Sequence, residues 1–154
     1  MDATAEGLVW LGHAWLGLGK PDEAIAAYGE ALTLRRDLGQ SHLAMGALAG
    51  LAQAALAKGD VRAAQTHVGQ IMSYLDGGGT LQGSWEPLRI YLTCFEVLQA
   101  GGDARADGVL EEAYKLLQEQ AARIPGQADR RRFLQDVPWH RAIMSAWEGR
   151  QGAG

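Results

Sequence analysis

The sequence predicts an all-α chain: three consecutive helical hairpins followed by a helical cap. Three observations carry that expectation. Ala and Leu dominate the apolar residues and β-branched residues are scarce, which favours helix because Ala and Leu lose little freedom there. Apolar residues recur at the spacing of one helical face. The chain also repeats itself at an offset of 40 residues.

Taken in order, the first helix is predicted over 4–18. Leu8, Leu11, Gly12 and Trp15 stand at i, i+3, i+4 and i+7, one apolar face with Trp15 in the core. Gly19 ends it, since Gly takes the left-handed helix-terminal conformation without a Cβ penalty. Pro21 suits the first turn of a second helix, 21–38, and Asp22 and Glu23 complement its positive end. Ala24, Tyr28 and Ala31 form the inner face of that helix.

The second copy follows. Over 41–58, Leu48, Leu51, Ala52 and Ala55 fall on Leu8, Leu11, Gly12 and Trp15. Gly59 repeats the turn, and over 61–75 Ala64, Val68 and Ile71 repeat Ala24, Tyr28 and Ala31. Small residues such as Ala24 and Ala64 are expected where paired helices touch. Asp76-Gly77-Gly78-Gly79-Thr80 reads as a flexible hinge, extending to Ser84, with fast-exchanging glycine amides. The third copy spans 85–100 and 104–123. Its turn holds both Gly101 and Gly102, so it reads as one residue longer, and Leu110, Ala113 and Leu117 line its second helix. A short helix is expected at 127–136, and Pro138 opens a last one to about Glu148. Residues 1–149 thus read as one domain, with repeats at about 4–38, 41–75 and 85–123, a cap at 127–149 and a disordered tail at 150–154.

The pattern Leu8, Leu11-Gly12, Trp15, Gly19, Ala24, Tyr28, Ala31 resembles the tetratricopeptide repeat (TPR) family. The usual period there is about 34 residues, so an offset of 40 implies the long-repeat type with an extended second helix. The resemblance covers about residues 4–123 and implies a right-handed α-solenoid that binds a protein or peptide. A second resemblance lies in Tyr91, Val97-Leu98, Ala100 to Ala106, Leu110, Ala113, Ala121 to Ile124, Arg131, Phe133-Leu134, Val137 and His140 to Ile143. These are similar to the C-terminal end of large bacterial signalling ATPases and transcription regulators. That likeness implies the helical-repeat sensor of such a regulator, although no phosphate loop of Gly-x-x-x-x-Gly-Lys-Ser/Thr type occurs here.

Composition excludes several function classes. With 47% hydrophobic and 21% charged residues, the chain falls among globular sequences and away from disordered ones. A formal net charge of −4 argues against non-specific nucleic-acid or anionic-membrane binding. The acidic start lacks the basic region of a secretion signal, and the apolar run Leu8 to Gly19, interrupted by His13, is too short to span a bilayer. A cytoplasmic location is the resulting expectation.

No chemistry-bearing motif stands out. Cys94, the single cysteine, lies on an apolar face with Tyr91, Phe95 and Leu98 and reads as core. His13, His42, His67 and His140 show no metal-chelating helix spacing and read as solvated or hydrogen-bonded, so no metal or cofactor is expected. Glu111 and Glu112 diverge around their helix. Arg130, Arg131 and Arg132, near Arg123, Glu119, Asp129 and Asp136, read as local ion pairs. Trp10, Trp15, Trp85, Trp139 and Trp147 read as core or interface anchors. No converging polar set marks an enzyme.

One constellation bears on function. The family resemblance implies that the first helices of the pairs line a concave groove. By register those positions are Val9, His13, Leu16, Ala49, Gln53 and Leu56, with Arg89, Leu92, Thr93 and Glu96 from the third copy. They lack the Lys and Asn that grip a C-terminal carboxylate in such repeats. The groove is therefore mildly apolar, and is either open to a partner or covered by helices of the same chain. Function is then expected to be non-catalytic binding of a peptide or partner helix, or alternatively effector sensing at the groove or the hinge. The first helix is also apolar nearly all round, through Leu8, Val9, Trp10, Leu11, Ala14, Trp15, Leu16 and Leu18. Such a helix expects cover, from preceding repeats or from a second copy of the chain, with Trp10 as the anchor of a homodimer.

Overall fold

The computed structural model describes residues 4–81 and 86–153. Among them the chain is helical throughout, with no strand: α1 (Ala5–Gly17), α2 (Pro21–Asp37), α3 (Ser41–Ala57), α4 (Val61–Asp76), α5 (Pro87–Ala100), α6 (Ala106–Ala122), α7 (Gln127–Asp136) and α8 (Pro138–Ala153). Local chemistry sets the boundaries. The Thr4 hydroxyl accepts from the Gly7 amide at 2.9 Å, and the Asp60 carboxylate accepts from the Ala63 amide at 3.1 Å, each satisfying a donor the first helical turn leaves unpaired. Pro21 and Pro87 open α2 and α5. The last helix runs past the expected end at Glu148, because nothing between there and Ala153 forbids helix; Gly154 lies outside the described residues.

The repeat is visible in the turns themselves. At the end of α1, Gly19 has φ +74° and the Lys20 amide donates back to the Trp15 carbonyl at 2.9 Å. At the end of α3, Gly59 has φ +79° and Asp60 donates to Ala55 at 2.8 Å. The same six-residue closure satisfies a terminal carbonyl each time, and only glycine takes that φ without strain. The turn from α5 to α6 closes likewise, Asp103 to Leu98 at 2.9 Å. It then runs on to Arg105, held by a bidentate Asp103 pair, and so is longer than the one-residue extension expected.

The first helices of the pairs form an inner layer, α1 touching α3 and α3 touching α5, and α2, α4 and α6 pack behind them. Helix α8 touches α5 and α6 and so continues the inner layer, with α7 as the short connection into it. Ile143 anchors α8 with no exposed surface, and Trp147 stacks on Tyr114 at 4.3 Å between ring centroids. The register of small residues is as expected: Ala24, Ala52 and Ala64 are fully buried. Cys94 is buried too, and burial pushes its thiol up to about 12, which leaves it a small hydrophobe.

Three expectations are corrected. Leu11 is not on the core stripe: it is 45% exposed, because Ala5, Leu8 and Gly12 are the positions of α1 that face its neighbours. Trp15 is half-buried, lying against the core with the Lys20 ammonium 5.3 Å from its ring.

The third concerns Asp76–Thr80, which is not a free hinge. The Gly77, Gly78 and Gly79 amides donate to Ser73, Leu75 and Tyr74 carbonyls at 3.0, 3.1 and 2.9 Å, so the glycines close α4. The Tyr74 hydroxyl donates to the Thr80 carbonyl and Leu81 is buried. Ser84 and Trp85, named with the hinge and the tryptophans, lie outside the described residues. Amide exchange at Gly77–Gly79 is therefore expected to be slower than in an unstructured peptide, read by hydrogen-exchange NMR. Unprotected rates there would restore the hinge.

Candidate functional site: a pocket on the inner helices

Tyr28 organises the inner face. It projects from α2 between α1 and α3 with no exposed surface. Its ring lies where Gly12 and Gly50 lack side chains; a Cβ on Gly12 would come within 2.5 Å of it, and one on Gly50 would overlap it. The Tyr28 hydroxyl meets His13 Nδ1 at 2.5 Å. Burial pushes the phenol up to about 12, so it stays protonated and donates to Nδ1. The proton of the neutral His13 ring is then on Nε2, which faces Glu86 Oε2 at 3.9 Å. Burial, then the Arg89 charge, lowers His13 to about 4; the Glu86 carboxylate does not reverse this because Arg89 already pairs with it at 3.3 Å.

The network continues across to α3. Arg89 Nη2 donates to Gln53 Oε1 at 3.5 Å, Gln53 Nε2 to the Thr93 hydroxyl at 2.8 Å, and that hydroxyl to the Arg89 carbonyl at 2.9 Å. On its other side the Arg89 guanidinium lies 5.4 Å from the Trp139 ring, a cation–π contact with α8.

Above this polar floor is a small pocket of about 50 Å³ with predominantly apolar walls. Val9, Trp10, Leu43, Ala49 and Ile90 supply those walls, and Gly46 and Gly50 its α3 side. Of the ten groove positions expected from register, Val9, His13, Ala49, Gln53, Arg89 and Thr93 line it together. Leu16, Leu56, Leu92 and Glu96 do not: the two half-buried leucines pack against the core, Leu92 is buried, and Glu96 is exposed elsewhere on α5. Register also missed Glu6, Arg35, Gly46 and Glu86. Gly46 was legible, one turn before Ala49 and Gly50, whereas Arg35 comes from a second helix and Glu86 from the segment before α5. Among the described residues α8 contributes none to the lining, which comes from α1, α3 and α5 with Arg35 and Glu86.

Polar groups therefore do converge here, contrary to the expectation from spacing. Their chemistry is self-contained. The lone pair of His13 is taken by Tyr28, and Glu86 and Arg89 neutralise one another. Among the described residues no group of three or more His, Cys, Asp or Glu side chains is placed to hold a metal, and no helix is long and apolar enough to cross a membrane.

Two of the other histidines and two arginines of the basic cluster lie outside the pocket. His140 Nδ1–H donates to the Phe133 carbonyl at 2.7 Å, while His67 is half-buried and its Nδ1 has no hydrogen bond. Arg132 pairs with Asp129 at 3.6 Å, and Arg130 instead donates to the Ile124 and Pro125 carbonyls of the loop between α6 and α7.

Residues 5–38, which are α1 and α2 with their closing turn, match the tetratricopeptide repeat family. The chain carries a tetratricopeptide repeat. No curated protein and no solved structure matches it. The α3–α4 and α5–α6 hairpins repeat the geometry of that first pair, which makes the array a TPR-type helical solenoid. TPR units are non-catalytic repeats that generally mediate protein–protein interaction.

Proposed function

We propose that the chain is a non-catalytic interaction module that binds a peptide or partner helix along α1, α3 and α5, in the cytoplasm. The observation that carries this is the convergence of Val9, His13, Ala49, Gln53, Arg89 and Thr93, from three successive helical hairpins, on one pocket. Leu16 and Leu56, half-buried, would serve only as flanks of a longer groove, and Leu92, being buried, takes no part in it. The interior of the site is preformed: Tyr28 and the Gln53–Thr93–Arg89 bonds lock its floor, so little ordering cost falls on binding.

A Cβ at Gly46, on the pocket wall, would meet only open space, so Gly46→Leu is the variant chosen to fill the pocket. Linear peptides selected on the wild-type chain should lose at least about tenfold in affinity for Gly46→Leu, roughly 1.4 kcal/mol, measured by calorimetry. Helix content should stay the same or rise, since glycine is a poor helix former. Selected peptides that bind both chains equally would contradict the proposal. A second reading, effector sensing in the manner of the bacterial regulators, rests on the same pocket, where a few convergent polar groups sit among apolar walls.

Self-association through α1 is the other proposal. Trp10 is 47% exposed, Leu11 45% and Leu18 69%, and Leu11, Ala14 and Leu18 share one face. Such an uncharged stripe is self-complementary about a two-fold axis. Trp10, at the pocket rim, joins this stripe to the binding face. Because Trp10→Glu would disturb both, Leu11→Glu/Leu18→Glu is the cleaner variant: it should convert a dimer to a monomer in light scattering and leave peptide affinity unchanged. A wild-type chain that is monomeric at high micromolar concentration would contradict this.

A further inference from the structure

We propose that the pocket takes an uncharged apolar side chain of the partner, and that Glu86 is the residue that keeps acidic groups out. The inference deepens the binding role just proposed and rests on it. Two arginines border the cavity, which at first sight suits an anion. The lining carries Glu6 and Glu86 against them, and each arginine already has a partner, a neutral one in the case of Arg35. Arg35 Nη1 donates to Gln40 Oε1 at 2.8 Å, and Arg89 is divided between Glu86 at 3.3 Å, Gln53 at 3.5 Å and the Trp139 ring. His13 offers no charge, and its ring nitrogens face Tyr28 and Glu86. Gln53 donates to Thr93, and Thr93 donates in turn to the Arg89 carbonyl.

A ligand carboxylate entering here would be buried beside Glu86 and would have to break the Glu86–Arg89 pair, so it meets repulsion where an empty arginine would attract it. An apolar group meets Val9, Leu43, Ala49 and Ile90 and disturbs nothing. The backbone shows how Glu86 is held to this task. It has φ +56° and ψ +54°, the left-handed conformation that residues with a Cβ seldom adopt, and this turn precedes α5 with the carboxylate facing both His13 and Arg89. Glu86 thus sets specificity by occupying the arginine that an acidic ligand would use.

The test compares indole with indole-3-acetate, which share one ring and differ by a carboxylate, in amide-resolved NMR titrations of the whole chain. Indole should shift the Gly46, Ala49 and Gln53 amides and bind at least about tenfold more tightly than indole-3-acetate, the discrimination expected when a buried carboxylate lacks a partner. Gly46→Leu should abolish both responses. Glu86→Gln, which keeps the side chain's shape, should erase or invert the preference by freeing Arg89, with the fold checked by circular dichroism. Equal or tighter binding of indole-3-acetate to the wild type would overturn the proposal. So would a preference unchanged by Glu86→Gln, indole shifts that survive Gly46→Leu, or no response to indole at all. Loss of the indole response with peptide binding intact refutes the apolar pocket alone, whereas loss of peptide binding with the indole response intact refutes the interaction module.

Discussion

Tyr28→Ala is expected to destabilise the chain by about 3–5 kcal/mol, the range for removing a large buried aromatic ring. Tyr28 has no exposed surface and fills the space between Gly12 of α1 and Gly50 of α3. Neither helix can close the gap, because each already meets the ring through backbone with no side chain to rearrange. The change also leaves His13 Nδ1 without its donor. Against a domain stability of about 5–15 kcal/mol, this is a large share. Urea denaturation should show a lower midpoint with an unchanged slope. Tyr28→Phe separates the two contributions: it keeps the ring and should cost only about 1–3 kcal/mol for the unsatisfied imidazole. A Tyr28→Ala chain as stable as wild type would mean that α1 and α3 do not meet over this ring.

Acid should weaken the fold before the carboxylates titrate. His13 is held at about 4 in the folded chain, against 6.5 for an ordinary histidine, chiefly by burial. Between those values the unfolded chain binds the extra proton and the folded chain does not, so stability rises with pH. The contribution is fully present above pH 6.5 and is lost as pH falls towards 4. It is on the order of 2 kcal/mol after discounting for the ring's partial contact with solvent. His67 and His140 are lowered in the same direction by burial and steepen the slope. His13→Gln leaves an acceptor for Tyr28 and removes the titration. Urea stability measured from pH 7.5 to 4.5 should therefore fall less for His13→Gln than for wild type. Identical profiles would place His13 in solvent.

Much of the fold was legible because helical periodicity and turn chemistry act locally. Gly19 and Gly59 announced their turns, and Ala24, Ala64, Val68 and Ile71 fell in the core by spacing alone. Leu11 was misread because three neighbouring apolar residues leave the orientation of α1 ambiguous; the close approach of Tyr28 to Gly12 resolves it. The triple glycine was misread because composition suggests freedom, while the fold gives each amide a carbonyl. For the site, six of the ten register positions converge because the first helices stack in line. Glu86 and Arg35 could not be foreseen, since their places depend on how α2 and the segment before α5 meet the inner layer. The coupling of Tyr28 to His13 joins residues of two helices, a contact no single-helix pattern encodes.

The central claim is that partners bind the face built by α1, α3 and α5. Amide chemical-shift mapping with a peptide selected on the wild-type chain tests it most directly. The expected result is a contiguous set of shifts at Val9, His13, Gly46, Ala49, Gln53, Arg89 and Thr93, with α2, α4 and α6 silent apart from residues at the pocket. Shifts confined to the outer helices, or to α7 and α8, would contradict it.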